Sequence, residues 1–216
     1  MSSWSFARVG RLLRSVAVVP VRLVLLVAGI QLVCVFPSAA DKWIVDKTSS
    51  AVHFSYDHFG LARKTGRFMD LDGRLDFSPT DPERGTVEIT IKTKALSTGV
   101  AELDRLLLSS DFFDEPRFPS IVFKSTSVRQ TGPKTGDIEG ELTMLGVTKP
   151  VTLNATWNFT GEHPLAAINA AYAGKWVAGF SAKTMISRSQ WGMSRGIPLL
   201  SDAVEIGIEV EFLRAD

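Results

Sequence analysis

The 216-residue sequence is poor in cysteine, histidine and net charge. Its single cysteine, Cys34, lies in an apolar stretch near the N-terminus. The rest of the chain therefore has no thiol for a disulfide, a thiolate-bound metal or a nucleophile. The three histidines, His53, His58 and His163, stand in no i, i+4 or HExxH arrangement, so a metal site would have to be assembled from distant segments. No GxSxG elbow and no phosphate-binding glycine loop occurs, which removes the usual marks of a serine hydrolase or a nucleotide-binding protein. The acids of DLDGRLDFSPTD resemble a calcium loop only superficially. Counted from Asp70, the twelfth place holds Asp81 rather than a bidentate glutamate, and these acids read as the wet side of a strand and turn. The formal charge is +1, and the four arginines before Asp41 leave the remainder slightly acidic, which argues against a nucleic-acid partner.

The first forty residues read as an export signal. Arg8, Arg11 and Arg14 precede an apolar segment that Arg22 interrupts, leaving fourteen uncharged residues from Leu23 to Phe36. As a helix that run rises about 21 Å, short of the roughly 30 Å hydrocarbon core of a bilayer. Ser38 and Ala40 then occupy the −3 and −1 places of a signal-peptidase cut before Asp41. The expected organisation is a signal peptide over 1–40 and one domain over 41–216, periplasmic or secreted after cleavage near Ala40. The alternative is an uncleaved N-terminal anchor.

From Trp43 onward, apolar residues recur at every second position, the mark of strands with one buried and one wet face. Eight segments show it: VHFSYDH, RFMDLDGRLDF, TVEITIKT, SIVFKSTSV, DIEGELTML, PVTLNATWNF, KWVAGFSAKTMI and AVEIGIEVEF. Turns rich in Gly, Pro and Asp separate them, so consecutive strands pair antiparallel and the expected fold is all-β, an eight-stranded antiparallel barrel. One segment breaks the period. In AELDRLLLSSDFF, Leu103, Leu106 and Leu107 have i, i+3, i+4 spacing and predict a short helix over 101–108 between the third and fourth strands, with Ser97 or Thr98 as its cap. Phe112, Phe113 and Phe118 follow in a loop that is either pinned by its own small core or closes over an internal cavity.

Period-two parity places Phe54, Tyr56, Met69, Leu71, Phe123, Leu142, Met144, Trp157 and Phe180 inside, among small residues such as Gly73, Gly140 and Ala178. An eight-stranded barrel either fills itself or holds one ligand, and composition leaves both open. A ligand of such a lining would be apolar and either long or flat. Periodicity also leaves open a small outer-membrane barrel with its apolar face outward, and an enzyme acting on the same apolar ligand. The mid-strand aromatics fit a membrane barrel poorly, because its aromatics gather in girdles at strand ends.

In order, DHFGLARKTGRF, DLDGRLDF, AELDRLLLSSDFFDEPRFPSIVFKST, GELTMLGVTKPVTL, SRSQWGMSRG and VEIGIEVEF resemble the YceI-like family of exported, lipocalin-like polyisoprenoid-binding proteins. The resemblance implies a lipocalin-like barrel whose pore holds an isoprenoid lipid or isoprenoid quinone with no covalent cofactor and no catalysis. It also implies an opportunity for transient contact with a membrane or a membrane quinone protein. His58, Asp104 and Arg188 match motif positions at strand or helix ends and are the head-group candidates, with Phe112 and Phe113 nearby. Two positions depart from the family pattern. Val100 stands where a His is common, and Gln190 and Trp191 replace an Asp-Phe pair, which implies a less acidic, narrower pocket mouth.

Overall fold

The structure, a computed structural model, describes residues 40–215. The expected signal segment, Ala40 apart, lies outside the described residues. The strands are β1 (Asp41–Val45), β2 (Ala51–His58), β3 (Ala62–Phe68), β4 (Leu71–Phe77), β5 (Thr86–Lys92), β6 (Leu96–Ser97), β7 (Ser120–Gly132), β8 (Thr135–Met144), β9 (Val147–Glu162), β10 (Trp176–Ser187) and β11 (Leu200–Arg214), with one α-helix, α1 (Ala101–Leu108). Every ladder is antiparallel.

Eight of these strands close into a ring, in the order β1, β4, β5, β7, β8, β9, β10, β11 and back to β1. The last strand, β11, is shared along one edge: residues 200–209 pair with β2, and Phe212 to Arg214 pair with β1. At the handover the Asp46 N–H donates to the Glu211 carbonyl at 2.8 Å. From β2 the sheet continues as a flap through β3 to the two-residue β6. The barrel and the single helix were legible as expected, but the strand inventory needs correction. β1 and β6 are too short to alternate visibly, and β3, ARKTGRF, buries only Gly66 and Phe68.

The segment read as one strand from Arg67 to Phe77 is two, broken at Met69 and Asp70. The break shifts parity by one residue, so Phe68 and Leu71 both face inward and Met69 is 46% exposed. Asp70 instead offers its carbonyl to the Lys92 N–H at 3.0 Å.

The helix has the predicted bounds, but neither Ser97 nor Thr98 caps it. Asp104 reaches back from the first turn, its Oδ1 accepting from the Thr98 N–H and hydroxyl, each at 2.6 Å. Inside the ring, Trp43, Leu71 and Phe212 are almost wholly buried, and an apolar side chain such as Phe212 contributes about 1.5–3 kcal/mol by leaving water. Small residues allow close approach of neighbours. A Cβ at Gly73 would stand 2.5 Å from the Glu88 carbonyl oxygen, and one at Gly140 would stand 2.5 Å from that of Lys124. The outer face carries cross-strand ion pairs, among them Arg63–Glu205, Lys124–Glu88 and Arg129–Asp137. Such a surface is not the apolar band that a lipid-facing barrel presents.

A candidate apolar ligand cavity

The ring encloses a cavity of about 270 Å³. Its wall on β11 runs from Leu200 through Val204, Ile206, Ile208 and Val210 to Phe212, roughly 40 Å of strand at ~3.3 Å per residue. The cavity therefore extends along the barrel. The wall continues on β10, which pairs with β11, through Phe180, Ala182, Thr184 and Ile186, and on β9 through Val151, Leu153, Ala155 and Trp157. Mid-barrel, Thr184 is the only hydroxyl in these walls, so the waist has almost nothing to hydrogen-bond.

The two ends differ. At one, the lining consists of turn residues including Pro82, Thr86, Gln130, Pro133 and Lys134, mostly exposed. Just inside, Phe77, Trp157 and Phe180 meet edge to face, with Phe77 5.4 Å from Trp157 and 5.2 Å from Phe180. The Lys134 ammonium sits 5.4 Å over the Trp157 ring. The opposite end is covered. Leu107 of α1 and Phe112 are buried in the wall, and Phe113 packs at right angles on Phe68, 5.5 Å away. Three backbone bonds fold this segment back under the helix, from Phe113 to Leu107, Asp114 to Ser109 and Glu115 to Leu108. Of the two fates open to this loop, the structure shows the cavity cover. Phe118 alone stays apart, against the turn at Gly146.

The covered end also holds Arg188, which is buried without a salt bridge among the described residues. Its Nε donates to the Ser201 carbonyl at 2.9 Å, its Nη1 to Met193 at 2.7 Å, and its Nη2 to Arg195 and Leu200, each at 3.0 Å. The side chain thus pins the 192–200 loop over the cavity, with Met193 and Leu200 in the lining. Burial lowers the Arg188 pKa, while Asp202 and Tyr56 raise it; an arginine remains charged throughout. Tyr56 shares this end, and burial pushes its phenol up despite the opposing field of Arg188. Its hydroxyl has no hydrogen-bond partner among the described residues. Four of the five guanidinium N–H groups are thus taken by carbonyls, which leaves one N–H on Nη1 and the Tyr56 O–H as donors at this end of the bore.

Of the sequence-derived candidates, Phe54, Tyr56, Leu71, Phe112, Phe113, Phe123, Leu142, Met144, Trp157, Phe180 and Arg188 line the cavity. Five do not. Met69 faces outward for the reason given above. His58 ends β2 with its ring against Phe59, 4.2 Å between centroids, and Asp104 is spent on the helix entry. Ala178 is fully buried outside the lining, and Trp191 is buried with its indole N–H on the Leu142 carbonyl at 3.1 Å. Sequence reading passed over the β11 wall, Phe68 and Met193. The alternation of AVEIGIEVEF marked that wall as a strand face but not as cavity.

No cluster of metal-ligating side chains occurs among the described residues. Thermal melts with and without a chelator are expected to coincide; a clear downward shift on chelation would reveal a metal-dependent fold.

A closed ring of eight antiparallel strands around an elongated apolar cavity defines the class, a single-helix β-barrel with a hollow interior. The chain belongs to the YceI-like domain family, whose pattern it matches over residues 43–212. It is 35% identical over 188 residues to a UPF0312 protein of Pseudomonas putida, covering 86% of this chain and 93% of that one. Among solved structures, the YceI protein of Campylobacter jejuni is 27% identical with a TM-score of 0.65, over 74% of this chain and 90% of that one. A polyisoprenoid-binding domain from Saccharophagus degradans, implicated in plant cell wall breakdown, shares the fold at 14% identity with a TM-score of 0.58, over 80% of this chain and 98% of that one.

Proposed function

We propose that this protein is an exported carrier or store that holds one isoprenoid lipid, a polyprenyl lipid or isoprenoid quinone, along its barrel. The carrying observation is the cavity itself, apolar along its waist, extended along the strands and, Thr184 apart, bearing donors near its ends. A flat or compact ligand would leave most of that length unfilled, whereas a polyprenyl tail matches it in both length and polarity. At the covered end, the one remaining Arg188 N–H and the free Tyr56 hydroxyl suit a carbonyl, hydroxyl or phosphate oxygen. A bore without an oriented base or nucleophile supports binding rather than turnover. The basic, then apolar, then small-residue order of 1–40 supports export.

The test is organic extraction of protein purified from the exported fraction, followed by mass spectrometry of the extract and N-terminal sequencing of the protein. The expected result is one polyisoprenoid per chain on a protein that begins at Asp41. Protein that yields no lipid and binds no added quinone or polyprenyl lipid would refute the carrier reading. An N-terminus at Met1 or Ser2 would refute processing.

A further inference from the structure

The covered end of the barrel carries an apolar tip that the lipid-carrier reading does not use. At the β2–β3 hairpin Phe59 is 47% and Leu61 82% exposed, and in the neighbouring loop Leu199 is 61% and Ile197 37% exposed. The two loops are one surface, because the Phe59 N–H donates to the Leu199 carbonyl at 2.8 Å.

The backbone at the tip is strained to make this display. Leu61 closes a turn on the His58 carbonyl at 3.0 Å, and both central residues are left-handed, Phe59 at φ 61° and Gly60 at φ 68°. Glycine, asparagine or aspartate suits the first of these places, and a phenylalanine there costs conformational energy. The ring lies edge-on to its neighbour His58 yet stays 47% exposed, and strain held at so exposed a place marks a role for the ring at the surface.

Behind the tip the chain is basic. From Phe59 to Phe68 it carries Arg63, Lys64 and Arg67 and no acid. Arg63 is paired with Glu205 at 2.9 Å, and Asp57 is engaged by the Gly60 N–H at 2.8 Å. Lys64 makes no ion pair among the described residues. Cations along the open edge of β3 would by themselves be explained as protection against strand pairing. That explanation calls for a polar tip, and the tip is apolar.

We propose that this end of the barrel docks on an anionic lipid bilayer, with Phe59, Leu61, Ile197 and Leu199 inserted and Arg63 and Lys64 at the phosphates. The spacing fits: Arg63 and Lys64 stand two and three residues beyond Leu61, about 7–10 Å along a strand, and interfacial side chains bury about 5–10 Å deep. Four side chains on two loop tips are too few for a protein interface of the usual ~800 Å² per partner. They are enough for reversible surface binding that combines apolar insertion with attraction to anionic lipid. The docked face would be the one that carries Phe112, Phe113 and the 192–200 loop. The proposal does not depend on what the cavity holds.

The test is cosedimentation of the processed chain, beginning at Asp41, with vesicles of equal parts phosphatidylglycerol and phosphatidylcholine, compared with phosphatidylcholine alone. Hydrogen exchange then reads residues 58–62 and 196–200. The expected result is binding to the mixed vesicles that weakens with salt and on Lys64→Gln, with slowed exchange confined to those two loops. The double variant Phe59→Asn and Leu61→Asn should weaken binding by about tenfold or more and remove the protection, because it deletes the inserted groups. It should melt with the parent, since asparagine suits the left-handed position. Unchanged binding by the double variant, protection at any other surface, or no binding to the mixed vesicles would overturn the proposal.

Discussion

Ala182→Phe is expected to expel the ligand and leave the barrel standing, whereas Ala178→Trp on the same strand should destabilise the barrel itself. Ala182 lies in the cavity wall directly across from Ala155, so two small residues widen the bore at one level. A ring added at Ala182 enters space that the ligand vacates, and the surrounding core keeps its contacts. Ala178 has no exposed surface and lies outside the lining, packed among the main core residues. A ring added there meets filled space and costs about 1–3 kcal/mol or more through overpacking. Denaturant unfolding of both variants, beside quantified co-purifying lipid, makes the comparison. The parent must first be stripped of lipid, because ligand at 100 times its Kd adds about 2.7 kcal/mol of apparent stability. A cavity that is in truth packed core would make the two variants equally destabilised.

Arg188→Met should cost more than any other single change at the covered end, about 3–5 kcal/mol. That loss comes from the backbone carbonyls that the guanidinium serves. Four carbonyls, those of Met193, Arg195, Leu200 and Ser201, lose their donors together. Each buried carbonyl left unpaired costs about 1–3 kcal/mol, reduced where water can enter. Arg188→Lys should recover less than half, since an ammonium offers three donors from a single point and cannot span the fork. Urea unfolding gives the free energies, and hydrogen exchange over 192–202 should show the roof of the cavity loosening first. A methionine variant within about 1 kcal/mol of the parent would show that the loop stands without the arginine.

Parity carried the sequence reading where strands were long and evenly alternating. Phe54, Tyr56, Leu142 and Phe180 were placed inward by counting in twos, and they line the cavity. The same rule misplaced Met69 because it assumes an unbroken strand, and the break at Asp70 adds one residue to the count. Helix spacing located α1 to the residue. His58 and Asp104 show a different limit: both sit where family motifs place them, yet a motif fixes a position in the fold without fixing what its side chain touches. Asp104 turns back to the backbone of its own helix entry, a local bond available to any acid in a first turn. Arg188 shares that origin and does reach the cavity, because four convergent carbonyls from a returning loop hold it there. Nothing in the linear sequence distinguishes those two outcomes. The handover of β11 from β2 to β1 was equally invisible, since alternation reports which face a strand buries and not which neighbour it meets.

That handover makes barrel closure the most non-local event in the chain. The ring shuts by pairing Trp43 with Arg214 and Val45 with Phe212, joining the first strand to the last. Contacts of such sequence separation form late, because the entropy of closing the intervening chain must be met before they return any energy. Until β11 is available the remaining strands cannot form a tube at all. Their apolar faces would then line an open trough, along whose side a long chain could be laid rather than threaded through an end.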